Sequence, residues 1–368
     1  MAADIAALAT PGVRGLEPYQ PGKPIDELER EYGVRNVIKL ASNENPLGPS
    51  PLAMEAARAV LKDIARYPDG NGFALKQRLA KKHGVTIPQI TLGNGSSDLL
   101  EFSTRAFVTP ENEVIFSAHA FAIYPIVTRA VGATAVMTKA KQWGHDLVAM
   151  QQAITPRTRL IFIANPNNPT GTWLKSGELE AFIRAVPPHV LVVLDEAYFE
   201  YVSEPDYPDT MAWVARFPNL IVTRTFSKAF GLAGLRVGYG VSSTAVADIL
   251  NRVRQPFNVN SVALAAAAAA LQDMAHVERT VTLNRQGMRD LTNAFGRLGL
   301  KFIPSVGNFV CVDLGRPAAA AYEALLREGV IVRPVANYGM PNHLRVTIGS
   351  ASENERFILA LEKVIKES

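Results

Sequence analysis

From about residue 50 to 255, short apolar runs alternate with stretches of helical periodicity. The runs are Ile90–Gly93, Glu113–Ser117, Thr134–Met137, Arg159–Ala164, Val190–Leu194, Leu220–Thr223 and Arg236–Val241. Several are apolar throughout rather than alternating, as strands covered on both faces are. Strand and helix in turn predict an α/β layer built on a mostly parallel sheet. Beyond it, Val262-Ala263-Leu264 leads into Ala265–Ala270, which reads as a closely packed helix because alanine is the best helix former. A long helical stretch over 273–298 stops at Gly299, and the tail reads strand (Val306–Asp313), helix (318–328), strand (Val330–Arg333), strand (His343–Ile348), helix (Glu353–Lys366). Residues 1–30 carry Pro11-Gly12, Pro18, Pro21-Gly22 and Pro24 and show no apolar period before Ile25, which predicts an extended arm. The pattern divides the chain into an arm (1–30), a large unit (31–255) and a smaller α+β unit (256–368).

Length and composition agree with that division. A chain of 368 residues exceeds the size at which one hydrophobic core keeps growing. With 48% hydrophobic and 20% charged residues it falls in the ordinary globular class rather than the disordered one. The net charge of +4 is spread along the chain without a run of like charges, which argues against a nucleic-acid or membrane patch and is compatible with small anionic ligands. A single cysteine, Cys311, excludes an internal disulfide and sits in the apolar run Phe309-Val310-Cys311-Val312, where a packed thiol is expected rather than a nucleophile. Met1-Ala2-Ala3-Asp4-Ile5 has no basic start followed by an apolar core, and no stretch reads as a membrane span, so a soluble cytoplasmic protein is expected.

In an open α/β sheet, ligands collect beyond the carboxyl ends of the strands, and here the residues that follow the apolar runs are polar. After Ile90–Leu92 comes Gly93-Asn94-Gly95-Ser96-Ser97, a glycine turn opening a helix, which can be a phosphate cup or a plain serine-capped turn. Leu160–Ala164 is followed by Asn165-Pro166-Asn167-Asn168-Pro169-Thr170-Gly171, a turn by composition. Val190–Leu194 is followed by Asp195-Glu196-Ala197-Tyr198, which places a carboxylate where burial is costly unless a cation meets it. Leu220–Thr223 is followed by Arg224-Thr225-Phe226-Ser227-Lys228, with Arg236 eight positions beyond the lysine.

Taken singly, Lys228 reads as a solvated loop cation and Phe121 as a core aromatic, but the pieces interlock if one aromatic aldehyde phosphate, pyridoxal 5'-phosphate, binds among them. Lys228 supplies an amine activated by partial desolvation and nearby cations. Asp195 holds the pyridine nitrogen protonated, which makes the ring an electron sink. Asn168 and Tyr198 hydrogen-bond the phenolate oxygen, and Phe121 stacks on the ring. Ser227, Arg236, Gly95, Ser96 and Ser97 neutralise the phosphate, with Thr225 beside them among the cofactor contacts.

The ordered set Asn-Pro-x-Asn-Pro-Thr-Gly, Asp-Glu-Ala-Tyr and Ser-Lys-x-x-Gly-Leu-x-Gly-x-Arg-x-Gly resembles the aspartate-aminotransferase superfamily of fold-type I pyridoxal-phosphate enzymes. Within it the chain is similar to the histidinol-phosphate aminotransferase family, through Leu16-Glu17-Pro18-Tyr19, Leu40 to Gly48, Arg66-Tyr67-Pro68-Asp69 and Ser227 to Arg236. The resemblance implies a large mixed sheet flanked by helices with a smaller C-terminal unit, and a Schiff base on Lys228. It implies transamination between L-histidinol phosphate and 2-oxoglutarate, and a homodimer in which Tyr67 reaches the partner's cofactor phosphate. By the same resemblance Tyr19 and Asn43 line the substrate pocket, Arg345 grips the substrate's anionic end and Arg333 assists with phosphate. Each arginine also flanks a strand and could instead make a surface ion pair. Neither metal, nucleic acid nor membrane is among the partners it implies. Enzymes of the same scaffold act on phenylalanine or tyrosine, others decarboxylate phosphoamino acids, and some transcriptional regulators carry such a domain. No helix-turn-helix segment is read ahead of residue 16. The family often has tyrosine where this chain has Phe121, and Pro125 and Trp173 fall near the cleft without an assigned role.

Overall fold

The computed structural model describes residues 5–366, so the expectation for Met1–Asp4 lies outside the described residues. All seven apolar runs of the first two thirds form strands of one sheet: β1 (Ile90–Gly93), β2 (Glu113–Ser117), β3 (Thr134–Thr138), β4 (Thr158–Ala164), β5 (Leu191–Asp195), β6 (Leu220–Thr225) and β7 (Gly238–Ser242). Their order across the sheet is β1-β7-β6-β5-β4-β2-β3, and only β7 runs antiparallel to its neighbours. In the inner strands the apolar runs do not alternate because both faces of the sheet are buried there, whereas the edge strand β3 leaves Thr134 and Met137 exposed. In β4, Ile161 and Ile163 join one hydrophobic cluster while Leu160, Phe162 and Ala164 join another on the opposite face; in β5, Val192 and Leu194 part from Leu191 and Val193 in the same way.

The C-terminal stretch builds a second sheet from β8 (Lys301–Ile303), β9 (Phe309–Asp313), β10 (Arg333–Pro334) and β11 (His343–Thr347), in the order β8-β9-β11-β10 and antiparallel throughout. Val310, Val312, Leu344 and Val346 pack with Leu291, Phe295, Leu325 and Phe357 from the helices Met274–Arg297, Ala319–Arg327 and Ala351–Lys366, forming a core of their own.

Four expectations are corrected. The arm is not extended throughout: Pro11–Arg14 forms a turn of helix with proline at its start, and Ile25–Tyr32 is helical, ending on Gly33 in the left-handed region. The strand expected at Arg236 begins at Gly238, because Arg236 itself has φ 55°, which no strand accommodates. The strand expected over Val306–Asp313 begins at Phe309. The strand expected over Val330–Arg333 is two pieces on different sheets: Val330–Ile331 pairs with Ile38–Lys39, and Arg333–Pro334 pairs with β11. The stretch around Ile38 thus packs against the C-terminal unit. No helix among the described residues is long and apolar enough to cross a membrane.

One buried ion pair ties β5 to β6 directly beneath their carboxyl ends. Glu196 is 0% and Arg224 2% exposed. Arg224 Nε donates to Glu196 Oε2 at 2.9 Å, Thr210 Oγ1 donates to Oε1 at 2.6 Å, and the Phe199 ring lies 3.3 Å from the guanidinium carbon. Removing one partner of such a pair leaves an uncompensated charge in the core. Glu196→Ala should therefore cost about 3 to 5 kcal/mol of unfolding free energy in denaturant titration, and a loss near zero would show that the arginine reaches water by another path.

Candidate active site

Because β1, β4, β5 and β6 are parallel to one another, their carboxyl ends lie along one edge, where Gly238 of β7 also sits opposite Gly93 and Thr225. A cavity of about 200 Å3 opens there. Of the residues singled out from the sequence, Ser96, Ser97, Phe121, Asn168, Asp195, Tyr198, Thr225, Ser227, Lys228 and Arg236 line it, joined by Tyr19, Asn43, Arg333 and Arg345. Gly95 lies just behind: a Cβ there would meet Arg236 Nη2 at 2.2 Å, so the glycine makes room for the guanidinium. Tyr67 is not brought in. It is 83% exposed and stacks on Phe257 at 4.7 Å. Neither Pro125 nor Trp173 lines the cavity.

The donors at one part of the cavity suit a phosphate. Gly95 caps the helix Ser96–Phe107, whose first N–H groups have no partner within the helix. Arg236 Nη1 donates to Ser227 Oγ at 3.2 Å, Ser227 N donates to Thr225 Oγ1 at 3.1 Å, and Thr225 Oγ1 donates to Ser227 Oγ at 3.0 Å. Arg236 has no carboxylate partner among the described residues, and holds its left-handed backbone at this point.

Asp195 ends β5, 5% exposed. Tyr124 OH donates to its Oδ2 at 3.0 Å and Thr223 Oγ1 to its Oδ1 at 3.3 Å. Burial pushes the carboxyl up to about 6, against the pull of those two hydroxyls. Tyr124 is itself fixed by stacking on Phe162 at 4.6 Å and meets Phe121 edge-on at 5.9 Å. Lys228 reaches the cavity with its Nζ donating to the Ser42 carbonyl at 2.9 Å. Burial, then the neighbouring Arg345, pull the Lys228 amine down to about 7, so near neutrality much of it is unprotonated and nucleophilic.

Asn168 and Arg345 settle one orientation. Arginine can only donate, and Arg345 Nη1 lies 2.6 Å from Asn168 Oδ1, so the Asn168 NH2 is turned the other way and is free to donate. Arg345 Nη2 donates to the Ala41 carbonyl at 2.6 Å, while its Nε is buried without a partner. Across the sheet, Arg333 of β10 stands directly opposite Arg345 of β11, which puts both side chains on one face. They are 7% and 6% exposed, and among the described residues neither has an ion pair. Arg333 Nη2 donates to the Gln20 carbonyl at 2.5 Å and its guanidinium carbon lies 5.6 Å from the centre of the Tyr19 ring. The surface ion pairs that either arginine could have made are not formed.

Sequence reading missed Ser42, Tyr124 and Thr223. Tyr124 carried the best signal, three residues after Phe121 and so on the same side of a helical turn. Together the cavity offers an anion seat, a buried carboxylate, a nucleophilic amine and an aromatic wall, a set that fits a small aromatic compound bearing a phosphate, a basic ring nitrogen and an aldehyde.

Residues 35–361 match the family model for aminotransferase class I and II. The chain is 62% identical over 360 residues to histidinol-phosphate aminotransferase 1 of Nitrosococcus oceani, covering 98% of this chain and 97% of that one. It is 60% identical over 364 residues to histidinol-phosphate aminotransferase 2 of Pseudomonas aeruginosa, covering 98% and 99%. Among solved structures, the histidinol-phosphate aminotransferase of Sinorhizobium meliloti in complex with pyridoxal-5'-phosphate superposes with a TM-score of 0.89 at 30% identity, covering 97% of each chain.

The depressed lysine has a direct chemical readout. Treated with an aryl aldehyde and then reduced, Lys228 should be modified at a rate that levels off above about pH 7, while exposed lysines keep accelerating toward their ordinary range. Mass spectrometry of the Lys228 peptide measures this; a rate still climbing at pH 10 would place the amine in water.

Proposed function

The chain belongs to the class I and II aminotransferases, and from that membership we infer that it transfers the amino group of L-histidinol phosphate to 2-oxoglutarate, giving imidazole-acetol phosphate and L-glutamate, a step of histidine biosynthesis. The observation that carries the choice of substrate is the opposed pair Arg333 and Arg345, two buried cations on one face of the sheet with no ion pair among the described residues. Like charges placed opposite each other are unfavourable in an empty sheet. A dianionic phosphate removes the repulsion, and in the second half of the reaction a carboxylate takes the same place, each suited to the forked geometry of a guanidinium.

When bound, pyridoxal 5'-phosphate supplies an aldehyde that accepts the amino group and a ring that takes up the electron pair left when a substrate C–H bond breaks. Lys228 Nζ would anchor the cofactor through its aldehyde and, when free as an amine, would take a proton from the substrate carbon and return it. Asp195 holds a proton at the ring nitrogen, oriented by Tyr124 and Thr223. Asn168 and Tyr198 donate to the ring oxygen, Phe121 packs on the ring face, and Gly95, Ser96, Ser97, Thr225, Ser227 and Arg236 hold the phosphate. Tyr19 and Asn43 complete the wall on the substrate side.

The active form in this reading is a homodimer with shared sites. Tyr67 is exposed and does not line its own cavity, and Leu47, Leu52, Met54, Leu61, Ile64 and Phe73, all at least 37% exposed, fall in the same stretch of chain, as apolar side chains awaiting a second copy do. The arm and the C-terminal unit are read as separate parts of each subunit, supported by the distinct C-terminal core. The buried, unpaired thiol of Cys311 suits the cytoplasm.

Aromatic amino acids, the substrates of enzymes on the same scaffold, carry no phosphate. The specificity constant for L-histidinol phosphate should exceed that for phenylalanine by on the order of 10² or more; equal values would favour the aromatic enzyme. Lys228→Ala should abolish both amino transfer and the visible absorbance of the anchored cofactor. Arg333→Gln should weaken the phosphorylated donor about a hundredfold, the scale of a buried charged hydrogen bond; an unchanged value would place the phosphate elsewhere.

A further inference from the structure

Asn43 stands at the meeting point of three segments distant in sequence. It is 1% exposed and its backbone lies in the left-handed region at φ 57°. Its N–H donates to Thr347 Oγ1 at 2.9 Å and its carbonyl accepts from Asn308 Nδ2 at 3.0 Å. In its side chain, Oδ1 accepts from Thr347 Oγ1 at 2.9 Å and Nδ2 donates to the Tyr198 hydroxyl at 2.9 Å. Both polar ends of the side chain have a partner inside the protein, and one of the two amide hydrogens is given to Tyr198.

The directions of these bonds follow from which atoms can only donate. The backbone N–H has a hydrogen and no lone pair, so Thr347 Oγ1 accepts from it. The threonine's own hydrogen then needs an acceptor. Thr347 is 3% exposed and, among the described residues, Asn43 Oδ1 is the acceptor within reach. The amide oxygen therefore faces Thr347 and the NH2 faces Tyr198. Tyr198 receives a hydrogen bond on its oxygen, and no acceptor among the described residues takes its hydrogen. Were the amide turned over, Tyr198 would give its hydrogen to Asn43, and the buried threonine hydroxyl would lose its acceptor.

We propose that Thr347 is a positioning residue: it fixes the facing of the Asn43 amide and thereby makes the Tyr198 hydroxyl a donor into the cavity, toward the cofactor's ring oxygen. This inference rests on the assignment of Tyr198 to that oxygen. Thr347 is two residues beyond Arg345 on β11, so one strand face presents both the substrate-side cation and the hydroxyl that orients the cofactor-side donor. Burial pushes the Tyr198 phenol up to about 12, with Arg345 and Asn43 pulling against it, so it keeps the hydrogen it is to donate.

Thr347→Val preserves the branched shape and removes the hydroxyl, which frees the amide to turn. In the cofactor-loaded enzyme, the pH at which the visible absorbance titrates should rise by about one unit, the scale of one lost hydrogen bond to a charged oxygen. The rate of the donor half-reaction should fall roughly tenfold while KM for the donor stays within about twofold. Thr347→Ser, which restores the hydroxyl alone, should return both. A folded Thr347→Val enzyme whose titration and rate match the wild type would overturn the relay, as would a serine variant that behaves like valine. Should Thr347→Val fail to fold, Thr347→Ala gives the same readouts. A wild-type enzyme with no titrating visible band would overturn the cofactor assignment and this relay with it; a normal wild-type titration beside an unmoved valine variant overturns the relay alone.

Discussion

An ammonium group taken out of water loses hydration that only a counter-charge can replace, and Lys228 meets that constraint by giving up its proton. β6 carries six buried residues to the edge of the sheet, and the chain then places the amine against the Ser42 carbonyl, with Arg345 and Arg236 adding their repulsion. Asp195 and Glu44 pull the other way and are outweighed. An amine pulled down to about 7 is partly neutral at that pH, and in the proposed reaction it would serve as both nucleophile and proton carrier. The carboxylate that would otherwise neutralise it belongs to Asp195, whose two oxygens are already held by Tyr124 and Thr223.

The same economy of charge runs through the cavity. Arg236, Arg333 and Arg345 converge on it from three different elements, and none is matched by a carboxylate among the described residues. The acidic partner that the sheet does provide, Glu196, is spent on Arg224 beneath the floor, where it ties together the two strands that deliver Asp195 and Lys228. In the proposed reaction, anions supplied from outside would complete the remaining cations: the cofactor's phosphate at Arg236, and the substrate's phosphate or carboxylate at the arginine pair.

Much of this was legible in the sequence. Several of the seven runs are apolar throughout, as strands covered on both faces are, and polar motifs follow their carboxyl ends, where the cavity opens. What escaped was either too short or too distant. Lys301–Ile303 and Ile38–Lys39 have too few residues to show a period, and they exist because neighbouring strands offer free edges. Ser42, Tyr124 and Thr347 make their polar contacts in the site with residues 71 to 304 positions away, which no local pattern encodes. The start of β7 was misplaced because Arg236 looks like a strand residue and is held instead in a left-handed turn by its place over Gly95.

The claim that the two opposed arginines await a phosphate is the one on which the functional reading turns. The direct measurement is a single half-reaction: the cofactor-loaded protein is mixed with L-histidinol phosphate or with L-histidinol, and the conversion of the cofactor's visible absorbance to that of its amine form is timed. The account predicts that removing the phosphate slows conversion at equal, sub-saturating concentration by on the order of a hundredfold or more. Equal rates for the two donors would contradict it.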